Sequence, residues 1–80
     1  MKRTIEKPLD ARVLSHFVQT ATKFNSDLWL TTKVDGEEQT ANAKSLMNII
    51  ALDLTQGMTV TLTAKGEDAA QALQALAQYL

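Results

Sequence analysis

The sequence has no cysteine, one histidine, one proline, three glycines and four aromatic residues among its 80 positions. The missing cysteine excludes a disulfide scaffold, a thiolate nucleophile and a Cys-type zinc site. A single imidazole excludes a His-rich metal centre and any mechanism needing two histidines, so no metal and no cofactor are expected. No hydrophobic run approaches the roughly 20 residues that a membrane-spanning helix needs. The opening segment MKRTIEK has no apolar signal core. A net charge of −1 gives no general basic field of the kind that nucleic acid selects. What is present, 45% hydrophobic and 21% charged residues, is the composition of an ordinary folded domain. A chain this long buries roughly 60–65% of its unfolded surface, enough for one modest core and one domain over residues 1–80. These points predict a small cytoplasmic protein without membrane or direct nucleic-acid contact.

Charge is uneven along the chain. Residues 1–12 carry four basic and two acidic side chains, and the other 68 carry four basic and seven acidic. A positive start around Lys7 and Arg12 suits an acidic partner, while ordinary surface scatter is the simpler reading.

The order of elements follows from periodicity. Thr4-Ile5-Glu6 is a short alternating stretch stopped by Pro8, a first strand. From Asp10, Val13 or Leu14, Phe17, Ala21 and Phe24 recur at three- and four-residue spacing, with Arg12, Ser15, His16, Gln19 and Lys23 on the other side. Asp10 occupies an N-cap position, where its carboxylate accepts from Arg12 or Val13 N–H. Asn25-Ser26-Asp27 closes this helix. Leu28, Leu30 and Thr32 alternate with Trp29 and Thr31 as a strand, Val34-Asp35-Gly36-Glu37 is a hairpin turn, and the return strand runs from Glu38 to Ala43. Ser45 caps a short helix reaching Leu52. Met58, Val60, Leu62 and Ala64 alternate with threonines in the clearest strand of the chain. Gly66 turns the chain into a last helix over 67–79, which buries Ala69 or Ala70, Leu73, Leu76 and Ala77 or Leu80. The order β-α-β-β-α-β-α is that of an α+β fold, an antiparallel or mixed sheet covered on one face.

The second helix carries more apolar residues than one face accommodates. Ile49 and Leu52 share an arc that can face a sheet, and Leu46, Met47 and Ile50 form a neighbouring arc turned largely away. Either these three make an exposed docking patch, with Met47 as an adaptable surface, or they pack against the neighbouring helix as core.

Leu9-Asp-Ala-Arg-Val-Leu, Phe17-Val-Gln-Thr-Ala-Thr-Lys-Phe, Asn42-Ala-Lys-Ser-Leu-Met-Asn-Ile-Ile-Ala-Leu and Thr61-Leu-Thr-Ala-Lys-Gly-Glu-Asp resemble the phosphocarrier HPr family over essentially the whole chain. The resemblance implies an open-faced β-sandwich, a four-stranded antiparallel sheet with three helices on one side. It also implies a protein that is not an enzyme but accepts a phosphoryl group from enzyme I and passes it to sugar-transport proteins of the phosphotransferase system. The family's acceptor is a histidine in a Leu-His-Ala-Arg-Pro motif. Leu9-Asp10-Ala11-Arg12-Val13 stands there, keeping the arginine that neutralises phosphoryl oxygens and replacing both the histidine and the proline. The hairpin around Asp35-Gly36 is about four residues longer than is usual in the family.

That departure directs the functional reading. A carboxylate at position 10 can form an acyl phosphate, but such sites need magnesium held by further carboxylates. Asp27, Asp35 and Asp53 fall at element ends, with no reason to gather beside Asp10. The simpler role for Asp10 is a helix cap, its fixed charge partly imitating a phosphorylated carrier. His16 lies one turn after Arg12, where backbone N–H groups are already paired and offer no anion nest; it reads as solvent- or partner-facing, together with Ser15 and Gln19. Ser45 matches the serine that an ATP-dependent HPr kinase phosphorylates in part of the family, with Asn48 where glycine is usual, and a phosphate at a helix N-cap is chemically reasonable. A capping role alone explains Ser45 equally well. The combined expectation is an HPr-like regulatory binding module without histidine phosphotransfer, resembling the catabolite-repression HPr homologues. Its candidate partners are enzyme I, HPr kinase or a transcription regulator, and its candidate states a monomer or weak homodimer. An active carrier using Asp10 or His16 is the alternative.

Overall fold

The computed structural model describes residues 1–80. In chain order the elements are β1 (Lys2–Thr4), α1 (Ala11–Thr22), β2 (Asp27–Val34), β3 (Glu37–Asn42), α2 (Leu46–Ala51), β4 (Thr59–Lys65) and α3 (Ala69–Ala77). The four strands form one sheet in the order β1-β4-β2-β3, and every neighbouring pair is antiparallel. The three helices cover one face, so the α+β open-faced sandwich expected from the sequence is the architecture observed. No helix is long and apolar enough to cross a membrane.

The two central strands form because their alternation is strict. Leu28, Leu30 and Thr32 on β2 and Val60 and Leu62 on β4 are buried under the helices. Their neighbours Trp29, Thr31, Thr61 and Thr63 point to the open face, as period-two geometry requires. Thr32 is a polar residue on the buried face, and its hydroxyl donates to the Thr59 carbonyl at 3.1 Å. The hairpin register pairs Val34 with Glu37 around Asp35 and Gly36, both at positive φ (52° and 83°). That is the primed two-residue turn that an Asp-Gly pair favours.

Several boundaries differ from the sequence expectation; α2 ends at Ala51 rather than Leu52, and β4 runs Thr59–Lys65 rather than Met58–Ala64. The first strand is Lys2–Thr4 rather than Thr4–Glu6, in register Lys2–Thr61 and Thr4–Thr59 with β4. Lys2 and Arg3 are poor strand formers, but pairing with an ordered edge overrides propensity. Ile5 is still buried, and its backbone N–H donates to the Met58 carbonyl at 2.8 Å. The return strand ends at Asn42, a residue before the expected Ala43. The last helix runs Ala69–Ala77 rather than 67–79, and buries Ala72 with Leu76 and Ala77, leaving Ala70 exposed and Ala69 and Leu73 half-buried.

The residue before α3 is engaged by a distant part of the chain. Asp68 sits at its N-cap without capping it. Its carboxylate instead accepts from the backbone N–H groups of Asn25 and Ser26, each at 2.9 Å, and from the Ser26 hydroxyl. These bonds, the Ser26 hydroxyl first, hold the Asp68 carboxyl below its ordinary value of 3.8. A depressed carboxyl favours the folded state above the unfolded value, and the contribution fades as pH falls from about 3.8 through the lower folded value. Urea titrations are expected to show the wild type losing stability across that acid window more steeply than Asp68→Asn. Equal slopes would show that the link does not depend on the carboxylate.

Candidate functional site

The candidate residues sit at the starts of α1 and α2, two helices packed against one another on the covered face of the sheet. Asp10 caps α1 from an extended backbone (φ −87°, ψ 176°), and its Oδ1 accepts from the Val13 N–H at 2.9 Å. Of the two donors the sequence offered, Arg12 and Val13, the structure selects Val13. Asp10, Arg12 and His16 are exposed, Ser15 is half-buried and Gln19 is exposed. His16 lies inside the helix, beyond the first turn whose N–H groups are unpaired. Asp27 starts β2, Asp35 sits in the hairpin and Asp53 follows α2; no three His, Asp or Glu side chains of the chain come together as a metal-binding group.

The Asp10–Val13 bond links two departures from the Leu-His-Ala-Arg-Pro pattern. A proline at position 13 has no N–H to give, so the bond observed from position 13 to the Asp10 carboxylate needs a residue other than proline there. Replacing an Asp cap by alanine costs about 1 kcal/mol. Asp10→Ala is therefore expected to lose about that much with Val13 present and little in a Val13→Pro background, a coupling of about 0.5–1 kcal/mol read by urea unfolding of the four proteins. Equal losses in both backgrounds would show the bond to be idle.

At the second helix Ser45 takes the cap (φ −116°, ψ 111°). Its Oγ accepts from the Asn48 backbone N–H at 3.4 Å and from the Asn48 side-chain amide at 3.0 Å. The approach to this cap is fixed by Asn42, whose Oδ1 accepts from the Lys44 N–H at 2.9 Å, and by the Lys44 ammonium, which donates to the Phe24 carbonyl at 2.8 Å. α2 is thereby tied to the C-terminal end of α1. The Asn48 amide and the Lys44 tether were not read from the sequence. An asparagine three residues after a serine cap is the signal for the first; the second joins residues 20 apart and has no local signal.

The structure also decides where the surplus apolar arc of α2 lies. Ile49 and Leu52 are buried, Leu46 is half-buried, and Met47 and Ile50 are 77% and 49% exposed. Met47 and Ile50 are thus not core, and Leu46 belongs to both surfaces. Of the basic residues near the start of the chain, Lys7 donates to the Gln78 carbonyl at 2.5 Å and Arg3 to the Ala77 carbonyl at 3.4 Å. Both sit at the C-terminal end of α3, where positive charge complements the helix dipole. Part of the positive excess is accounted for by the fold, and Arg12 is the basic residue left beside the α1 cap.

A four-stranded antiparallel sheet with three helices on one face defines an open-faced sandwich of the phosphocarrier type. Residues 4–80 match the family model described as the PTS HPr component phosphorylation site, and the chain belongs to the HPr family. The HPr-like protein Crh of Bacillus subtilis (strain 168) is 44% identical over 72 residues, which are 90% of this chain and 80% of that protein. Among solved structures, the phosphocarrier protein HPr of Bacillus anthracis str. Ames superimposes with a TM-score of 0.88 at 38% identity, covering 100% of this chain and 93% of that one. A crystal structure of Bacillus subtilis Crh, described as a domain-swapped, intertwined dimer, gives a TM-score of 0.72 at 43% identity over 94% of this chain and 82% of that one.

Proposed function

We propose that this chain is a regulatory binding module of the phosphotransferase system that does not carry a phosphoryl group at position 10, and that Ser45 is its phosphorylation site. One observation carries the first half: the Asp10 carboxylate, at the position corresponding to the family's histidine, is engaged as the cap of α1 through Val13 N–H. An imidazole offers a neutral nitrogen nucleophile near pH 7. A capping carboxylate offers an anion already engaged at the helix N-terminus, where it is stabilised by the dipole. Position 10 then repels the phosphoryl donor instead of receiving its load.

Docking is assigned to the surface formed by Arg12, Ser15, His16 and Gln19 on α1 and Leu46, Met47 and Ile50 on α2. Exposure of Met47 and Ile50 supports this, since packing within the fold leaves much of both apolar side chains uncovered on a six-residue helix. A phosphate on Ser45 lies at the foot of that patch and changes its charge without changing its shape. The partners are proteins of the same system, enzyme I, HPr kinase or a transcription regulator, in the cytoplasm. Of the two candidate states, monomer or weak homodimer, the dimeric Crh structure supports the homodimer.

Intact-mass measurement tests the reading. After incubation with phosphoenolpyruvate and enzyme I, no added phosphate is expected. After incubation with ATP and HPr kinase, one phosphate is expected, and Ser45→Ala removes it. A phosphate gained in the first reaction would overturn the assignment of position 10, and none in the second would remove Ser45 as the switch. Asp10→His combined with Val13→Pro is the companion variant: phosphate from enzyme I on this protein alone would show that the remaining docking surface is intact.

A further inference from the structure

We infer that Asn48 is a positioning residue that restrains Ser45 and sets the rate at which it is phosphorylated. The inference rests on the reading of Ser45 as the modified residue and goes beyond it. A hydroxyl has two lone pairs and one proton. Two donors converge on Ser45 Oγ, the Asn48 backbone N–H at 3.4 Å and the Asn48 side-chain amide at 3.0 Å. The backbone N–H of Ser45 is itself engaged, donating to the Asn42 carbonyl at 3.0 Å. The oxygen is therefore held toward its own helix with both acceptor sites in use.

Phosphorylation from ATP needs one of those lone pairs. The bond between Ser45 Oγ and the γ-phosphorus forms as the bond from that phosphorus to the β–γ bridging oxygen breaks. ADP leaves with the electron pair, and the hydroxyl proton passes to a base on the kinase. With Asn48 in place, one of the two donors has to be released before attack, and the one that stays withdraws electron density from the nucleophile. Without the side-chain amide, a lone pair is free while the backbone cap is kept. The side-chain bond is the shorter of the two, so its removal carries the larger share of the effect. A glycine or alanine at position 48 leaves the cap as an ordinary serine N-cap, a faster substrate.

The expected effect is that of one net hydrogen bond, about a 3–10-fold rise in kcat for phosphorylation of Asn48→Ala. Because Asn48 acts on the nucleophile rather than on kinase docking, the rise is expected in kcat with KM for the chain unchanged. Steady-state kinetics with ATP and HPr kinase on the full chain, comparing wild type, Asn48→Ala and Asn48→Gly, reads this split, with Ser45→Ala marking phosphate at any other residue. Faster turnover in both variants at constant KM supports the inference. An unchanged or lower kcat, or a change confined to KM, overturns it while leaving Ser45 as the site. No phosphate on wild type or variants overturns the Ser45 reading itself, and this inference with it.

Discussion

Gly66→Ala is expected to lower the unfolding free energy by roughly 2–4 kcal/mol, adding overpacking to backbone strain. Gly66 sits at φ +149°, a region that residues with a Cβ rarely enter. A Cβ built there would lie 2.7 Å from Ser26 Cα and closer still to Ser26 Oγ. A side chain can swing aside, but a Cα cannot. Ser26 is 1% exposed and is anchored through its backbone N–H and hydroxyl to Asp68, so the whole junction between the α1–β2 loop and the β4–α3 turn would have to open. An 80-residue domain has roughly 4–12 kcal/mol in total, so this single methyl group removes a large part of it. Gly36→Ala separates the two contributions. That glycine has φ +83° with nothing within 4 Å of an added Cβ, so only strain remains, about 1 kcal/mol. Urea midpoints at unchanged m-value read both. Equal losses at the two positions would mean that contact with Ser26 contributes nothing.

This junction also shows where sequence reading runs out. β2, β4 and the Asp35-Gly36 turn were legible because each is specified by its own residues: strict alternation of Leu28, Leu30 and Thr32, the Thr-rich run from Met58 to Ala64, and a dipeptide suited to positive φ. The Asp10 cap was legible for the same reason, since cap and donor are three residues apart. The destination of the Asp68 carboxylate was not, because Ser26 is 42 residues away in sequence. An acidic residue just before a helix reads as a cap or a dipole partner, and only the tertiary fold shows it bonded elsewhere. β1 failed similarly: Lys2 and Arg3 give no strand signal, and their pairing is imposed by β4. The candidate site lies between these cases. Its helix starts were readable position by position, and its exposed arc on α2 was readable as a surplus. Which of Leu46, Met47 and Ile50 stands in solvent depended on how closely α1 packs beside α2.

The position of α1 is what brings the two halves of that site together, and Phe17 is its anchor. The ring is 1% exposed and meets Tyr79 edge-on, with ring centroids 6.1 Å apart and planes at 76°. The Tyr79 hydroxyl shares a 2.7 Å hydrogen bond with Thr20 Oγ1, so the aromatic pair is fixed at both ends to the same helix. At 100° per residue, Arg12, Ser15 and Gln19 fall on the side of α1 opposite Phe17. The ring that is buried and the residues assigned to docking are two faces of one amphipathic helix. Phe17→Ala is expected to cost about 3–5 kcal/mol, the transfer term plus a cavity where α1 meets the sheet. Phe17→Leu, which keeps most of the volume, is expected to cost less than about 1.5 kcal/mol. In a domain with roughly 4–12 kcal/mol to lose, the alanine variant approaches the folding threshold and the leucine variant does not. Partner binding should follow the folded fraction: near wild type for Phe17→Leu, weakened for Phe17→Ala, and recovered for Phe17→Ala at high partner concentration because binding draws the equilibrium toward the folded state. Urea unfolding and calorimetric titration with the partner, run on the same three proteins, measure both quantities. A loss below about 1 kcal/mol for Phe17→Ala would mean that α1 is held by other contacts. Weak binding by a fully folded Phe17→Leu would mean that the docking face depends on the shape of this ring, not merely on the helix staying in place.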